Sequence, residues 1–137
     1  MNKGITVESI KSVIRNVHQT GIYVIVNILI GFPGEGEDEF NDTLKFLVEN
    51  KEYINKVNAN SPMVVLENSE VYTNPEKYGI AVDDNGKVLF DGDNGWKTVD
   101  NENNLTIRKN RHFRLLYVMK KNRILLDRND VAGSKRQ

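Results

Sequence analysis

Cysteine is absent from all 137 residues. That gap removes disulfides, thiolate nucleophiles, thiolate zinc sites and every cysteine-held iron–sulfur cluster from this chain. No apolar run approaches the roughly 20 residues that cross a bilayer, and the amino terminus lacks the charged, apolar, small-residue order of a secretory signal. The expected location is therefore cytoplasmic, with no membrane partner. Excess charge is missing too, since 19 basic residues balance 19 acidic ones. What is present, 39% hydrophobic and 28% charged positions, suits one domain that buries a core of its own.

The balance is local rather than uniform. Residues 68–104 hold 3 basic against 8 acidic residues, whereas residues 105–137 hold 10 against 2. Three segments follow: 1–67 as α/β units, 68–104 as an acidic, turn-rich stretch, and 105–137 as a basic helix with a frayed tail, "NDVAGSKRQ".

In the first segment, Thr6 caps a helix over 7–19 whose apolar positions Val7, Ile10, Ile14 and Val17 recur at helical spacing, and Gly21 stops it. Ile22 to Ile30 reads as a strand covered on both faces. A second helix runs from Glu37 to Asn50 with Phe40, Leu44, Leu47 and Val48 on one side. A second strand is expected at Val57 to Leu66. Such alternation predicts parallel strands with right-handed crossovers, hence a partial (β/α) barrel. Asn85-Gly86 between β-prone runs predicts a two-residue hairpin. Leu105 to Asp127 predicts a long final helix with Phe113, Leu116, Tyr117, Lys120 and Ile124 at helical spacing. The fold class is α/β, with a hairpin and a long C-terminal helix added. One bare sheet edge is expected to be covered by the hairpin or by the last helix.

Alternation along the first strand sorts its side chains. Ile22, Val24, Val26, Ile28 and Ile30 form an aliphatic set, while Tyr23, Ile25, Asn27, Leu29 and Gly31 carry a phenol, an amide and a glycine. Asn58 and Asn60 repeat the pattern on the second strand. A lone inward asparagine more often satisfies the backbone or a buried water than a ligand. Aligned amides on neighbouring strands shift that balance toward a site.

The first strand ends in "GFPGE", at the carboxyl end where open α/β sheets and barrels place ligands. Gly31 and Gly34 permit positive φ or close backbone approach, and Pro33 stiffens the turn. Glu35, Glu37, Asp38 and Glu39 argue against a phosphate guest, and the spacing matches neither the P-loop nor the dinucleotide fingerprint. Read from physics alone, the turn is a strand-to-helix joint with acids matched to the helix dipole.

The stretch "MNKGITVESIKSVIRNVHQTGIYVIVNILIGFPGEGEDEFNDTLKFLVEN" resembles the later half of a radical S-adenosylmethionine enzyme barrel of the cobalamin-binding type. The likeness is dense from Met1 to about Asn50 and thinner through "NSPMVVLENSEVY", "GW" and "RKNRHFR". Asn68-Ser69-Glu70 departs from the group's Gly-Thr-Pro turn, and Leu29, Ile30 and Gly31 only approximate its fifth-strand pattern. Such enzymes bind a [4Fe–4S] cluster through CxxxCxxC and reduce S-adenosylmethionine with it, some using cobalamin as well. The resemblance therefore implies a fragment, inactive alone, whose partner is the N-terminal part of the barrel and whose small-molecule substrate is set elsewhere. It assigns Asn27, Leu29, Gly31, Phe32, Pro33 and Gly34 to the adenosine side. It puts Asn58 and Asn60 on the substrate side. It supplies no proton-transfer catalyst.

Other patterns weigh less. "DGDNGWKTVDNE" puts Asp91, Asp93 and Glu102 at calcium-loop positions, but Trp96 stands where that loop needs glycine. His18 and His112 have no ligand partners at metal spacing. The basic helix, with Arg108, Lys109, Arg111, Arg114, Lys120, Lys121, Arg123 and Arg128, offers an alternative: a non-catalytic module meeting an acidic partner or nucleic acid. Its apolar stripe is expected to pack on the α/β part while its charges face water or the acidic 68–104 segment, and the want of aromatic interleaving weighs against nucleic acid.

Overall fold

The structure is a computed structural model that describes residues 6–59, 61–92 and 94–127. Helix α1 covers Val7–Gln19, opened by Thr6 in a reciprocal cap with Ser9. Gly21 closes it at φ +84°, with the Ile22 N–H reaching back to the Val17 carbonyl, a Schellman ending. Strand β1 is Ile25–Asn27, helix α2 is Glu37–Glu49 and strand β2 is Lys56–Asn58. A short α3 at Glu70–Thr73 and the long α4 at Leu105–Lys121 complete the described helices beside two 3₁₀ turns.

Strands β1 and β2 pair in parallel, with Val26 opposite Val57 and Asn27 opposite Asn58. Both are shorter than the sequence predicts. Past Ala59 the chain leaves the ladder, because Pro62 cannot donate and Met63 and Val65 bury themselves in a different cluster. The expected helix to Asp127 also stops early, at Lys121. Arg123 takes φ +59°, and the Arg123 and Ile124 N–H groups bond back to the Lys120 and Met119 carbonyls, the same ending as on α1. The chain then returns to the sheet: the Val57 N–H donates to the Leu125 carbonyl, and the Val57 carbonyl accepts from the Asp127 N–H. That parallel bridge of Val57 with Leu126 covers the far edge of β2, so the cover comes from the residues after the helix rather than from the helix or the hairpin.

The expectation of two covered faces is not met. Ile14 of α1, Phe40 and Leu47 of α2, and Leu115 and Met119 of α4 all pack with Val24, Ile30, Val57 and Ala59 in one core. The opposite face stays open, with Tyr23, Ile25 and Leu29 about half exposed and Asn27 exposed. The three long helices all converge on the aliphatic set and leave the phenol-and-amide set bare. On α1, the stripe is only partly used: Ile14 is buried, while Val7 and Ile10 are 58% and 40% exposed.

A second cluster, Met63, Val65, Val71, Ile80, Val88 and Trp96, forms a lobe against Phe32. The hairpin lies here, with Val82 bridged to Val88. Its loop has three residues instead of two: the Asp83 N–H donates to the Lys87 carbonyl and Gly86 sits at φ +77°. The Asp83 carboxylate accepts from the Asn85 and Lys87 N–H groups, a local turn that outcompetes the tight Asn-Gly form.

Candidate functional site

The GFPGE elbow is built around a missing side chain. Gly31 has φ +89°, and a Cβ there would run into the Cδ and Cγ of Arg108. The close approach that glycine permits is thus taken by α4. The Gly31 N–H donates to Glu35 Oε1 at 3.0 Å, and the Gly31 carbonyl accepts from Asn103 Nδ2 at 2.9 Å. Both backbone groups of the elbow glycine are therefore already paired.

Three arginines about one turn apart on α4 hold this turn. Arg108 is fully buried and meets no carboxylate among the described residues; it donates to Asn103 Oδ1 and to the Asn94 and Trp96 carbonyls. Its guanidinium lies 3.7 Å from the Trp96 ring centroid, and its Nε is buried without a partner. Burial draws its pKa down to about 10, the expected effect of low dielectric on a cation. Arg111, 4% exposed, donates to the Glu35 carbonyl at 3.0 Å and to the carboxylates of Glu35 and Glu37, both at 3.3 Å. Arg114 takes the outer position, 2.9 Å from Glu37 Oε1, above the Phe40 ring.

The two acids of this bracket respond oppositely to their surroundings. Burial pushes the Glu35 carboxyl up, against the pull of the Gly31 N–H and Arg111. Hydrogen bonding from Arg114 holds the Glu37 carboxyl down.

The sequence-derived residues separate into two places. Asn27 and Asn58 stand side by side on the open sheet face, since register partners share a face, with Leu29 just beyond. Gly31 and Pro33 are buried, Gly31 against Arg108 of α4, and Phe32 packs on the second lobe, edge-on to Tyr78. Gly34 opens onto a cleft of about 840 Å³ between the α2 and α4 starts, walled also by Thr98, Asp100 and Asn110. Asn27 borders a different groove of about 540 Å³ with Val7, Ile10 and Phe46. Asn60, Arg128 and the expected tail lie outside the described residues. Trp96, where the calcium-loop pattern fails, is a core side chain. The His112 ring nitrogen is 2.7 Å from the Ala59 carbonyl.

Sequence reading missed the bracket because it sent the α4 charges to water or to the 68–104 segment: Arg108 does meet that segment, at Asn94, Trp96 and Asn103, but Arg111 and Arg114 turn to the elbow acids Glu35 and Glu37. The available signal was Arg108, Arg111 and Arg114 at helical spacing on a helix without a single acid, downstream of an acidic elbow. The same misreading reversed the helix. Leu115 and Met119 are buried, whereas Phe113 and Tyr117 are 72% and 66% exposed. Two arginines thus occupy the inner face where two aromatics were expected.

Compared with family models, curated proteins and solved structures, the chain matches none.

Proposed function

We propose that this chain supplies later strands of a radical S-adenosylmethionine barrel of the cobalamin-binding type and positions adenosine and substrate on its open sheet face. The observation that carries the reading is the parallel progression β1, β2 and the 124–127 segment with every long helix on one side. A (β/α) barrel has this arrangement, its uncovered face being the interior. Two strands and a bridge cannot close one, so the first strands come from another polypeptide segment, paired along β1.

A [4Fe–4S] cluster does not fit this chain, which has no cysteine to ligate it. Adenosine fits the open face at the exposed Asn27 amide beside the half-exposed Leu29, with Asn58 next to it on the substrate side. Reduced by one electron from a cluster held on another segment, S-adenosylmethionine would supply a carbon-centred adenosyl radical and release methionine. The residues here hold and orient through packing and hydrogen bonds. The elbow contributes rigidity, because its glycine is locked between Asn103, Glu35 and Arg108.

The genomic reading frame upstream of Met1 is the first test. A CxxxCxxC within the preceding coding sequence is expected, and an in-frame stop with its own ribosome-binding site overturns the reading. With the upstream segment joined, S-adenosylhomocysteine should shift the side-chain amide resonances of Asn27 and Asn58. Unmoved resonances at saturation would remove these residues from the site.

A further inference from the structure

The outer face of α4 is a feature that the barrel reading leaves unused. Along it run Lys109, Phe113, Tyr117, Lys120 and Lys121, all exposed. Phe113 and Tyr117 are four residues apart, which puts their Cβ atoms about 6 Å apart on one side of the helix. They lie opposite Leu115, the fully buried anchor of the same helix, so no rotation of α4 inside this core could hide them.

The charges of the helix are sorted by chemistry. Its arginines point inward or across to α2, held by Asn103, Glu35 and Glu37. Lys109, Lys120 and Lys121 make no ion pair among the described residues, and the helix carries no acid of its own. A guanidinium fork suits fixed acceptors, whereas a flexible ammonium suits a mobile anion. Two bare aromatic rings set among unpaired lysines match one kind of occupant: a polyanion that also carries flat, stackable groups.

We infer that this face binds single-stranded nucleic acid, with bases stacked on Phe113 and Tyr117 and phosphates neutralised by Lys109, Lys120 and Lys121. The arrangement is that of a sequence-tolerant stacking platform. An acidic protein would use the lysines but would leave two exposed rings without a role. Duplex DNA hides its base faces and would do the same.

The test is fluorescence anisotropy of a labelled single-stranded oligothymidylate titrated with the full chain. Binding at low salt should weaken with a linear log–log slope between about 50 and 200 mM salt. Phe113→Ala with Tyr117→Ala should weaken it about tenfold or more while leaving the salt slope unchanged. Replacing the three lysines by Gln should flatten the slope by about 2, at roughly 0.7 per phosphate contact. In Phe113→Trp, oligonucleotide should quench the new exposed indole, since the native Trp96 is buried. No anisotropy change at low salt overturns the inference. So does binding indifferent to both rings, equal displacement by polyglutamate or duplex DNA, or an unquenched indole at saturation.

Discussion

At Gly31 the fold depends on an absent atom. A Cβ there would collide with Arg108 and would also sit at φ +89°, so Gly31→Ala should cost about 2–4 kcal/mol from backbone strain and overpacking together. The two costs separate by experiment. Arg108→Ala removes the collision, so in a double-mutant cycle by urea denaturation Gly31→Ala should cost less in that background, leaving only the backbone part. Additive effects would show that Arg108 does not fill the space above the glycine. Arg108→Ala alone should be severe, about 3–5 kcal/mol, because it strands Asn103 Oδ1, the buried Trp96 carbonyl and the part-buried Asn94 carbonyl. Glu37 gives a pH signature. Its folded pKa is lowered, so its contribution is present above the unfolded carboxylate value of about 4.3 and fades as pH falls through the folded one. Thermal melts of wild type and Glu37→Gln should differ at neutral pH and converge in acid. A gap that widens in acid would mean that the Arg114 pairing does not set the shift.

At the scale of elements, α4 decides how the two clusters meet. Leu115→Ala should lose about 2–5 kcal/mol as a core truncation, whereas Phe113→Ala should stay within about 0.5 kcal/mol. Equal costs in denaturant melts would contradict the observed orientation of the helix. The sequence carries the positions of α1, α2 and the start of α4 clearly, since Thr6, the acids after Gly34 and Asn104 are caps or dipole partners whose effect is local. Strand length was less legible. The run Met63, Val64, Val65 and Leu66 is equally β-prone in either cluster, and only tertiary packing assigns it to the second. The inner face of α4 was illegible for a different reason. Hydrophobic periodicity ranks Phe and Tyr above Arg, while the cleft under α4 offers carbonyls, carboxylates and an indole that only a guanidinium can satisfy together. Among candidate site residues, the pairing of Asn27 with Asn58 was readable from strand alternation, but the burial of Gly31 against Arg108 was not, because the partner lies far along the chain.

For the molecule as a whole, the sheet has one sealed side and one bare side. Val57 is bonded outward to Leu125 and Asp127, while Val24 and Ile28 of the β1 stretch bond toward β2, which turns the Ile25 and Asn27 peptide groups to the free edge. Native-state hydrogen exchange should therefore protect Val57 well and leave the Ile25 and Asn27 amides fast. Slow exchange at all of them in dilute solution would mean that a second chain already covers β1. Such coverage is what an edge beside the exposed Val7 and Ile10 invites.

The division of cations on α4 makes folding and surface charge chemically separable. An amine-selective acylating reagent reaches Lys109, Lys120 and Lys121 but has no chemistry with the guanidinium groups that clamp the elbow. Acylation can therefore neutralise the outward side of this helix while the joint beneath it stays intact.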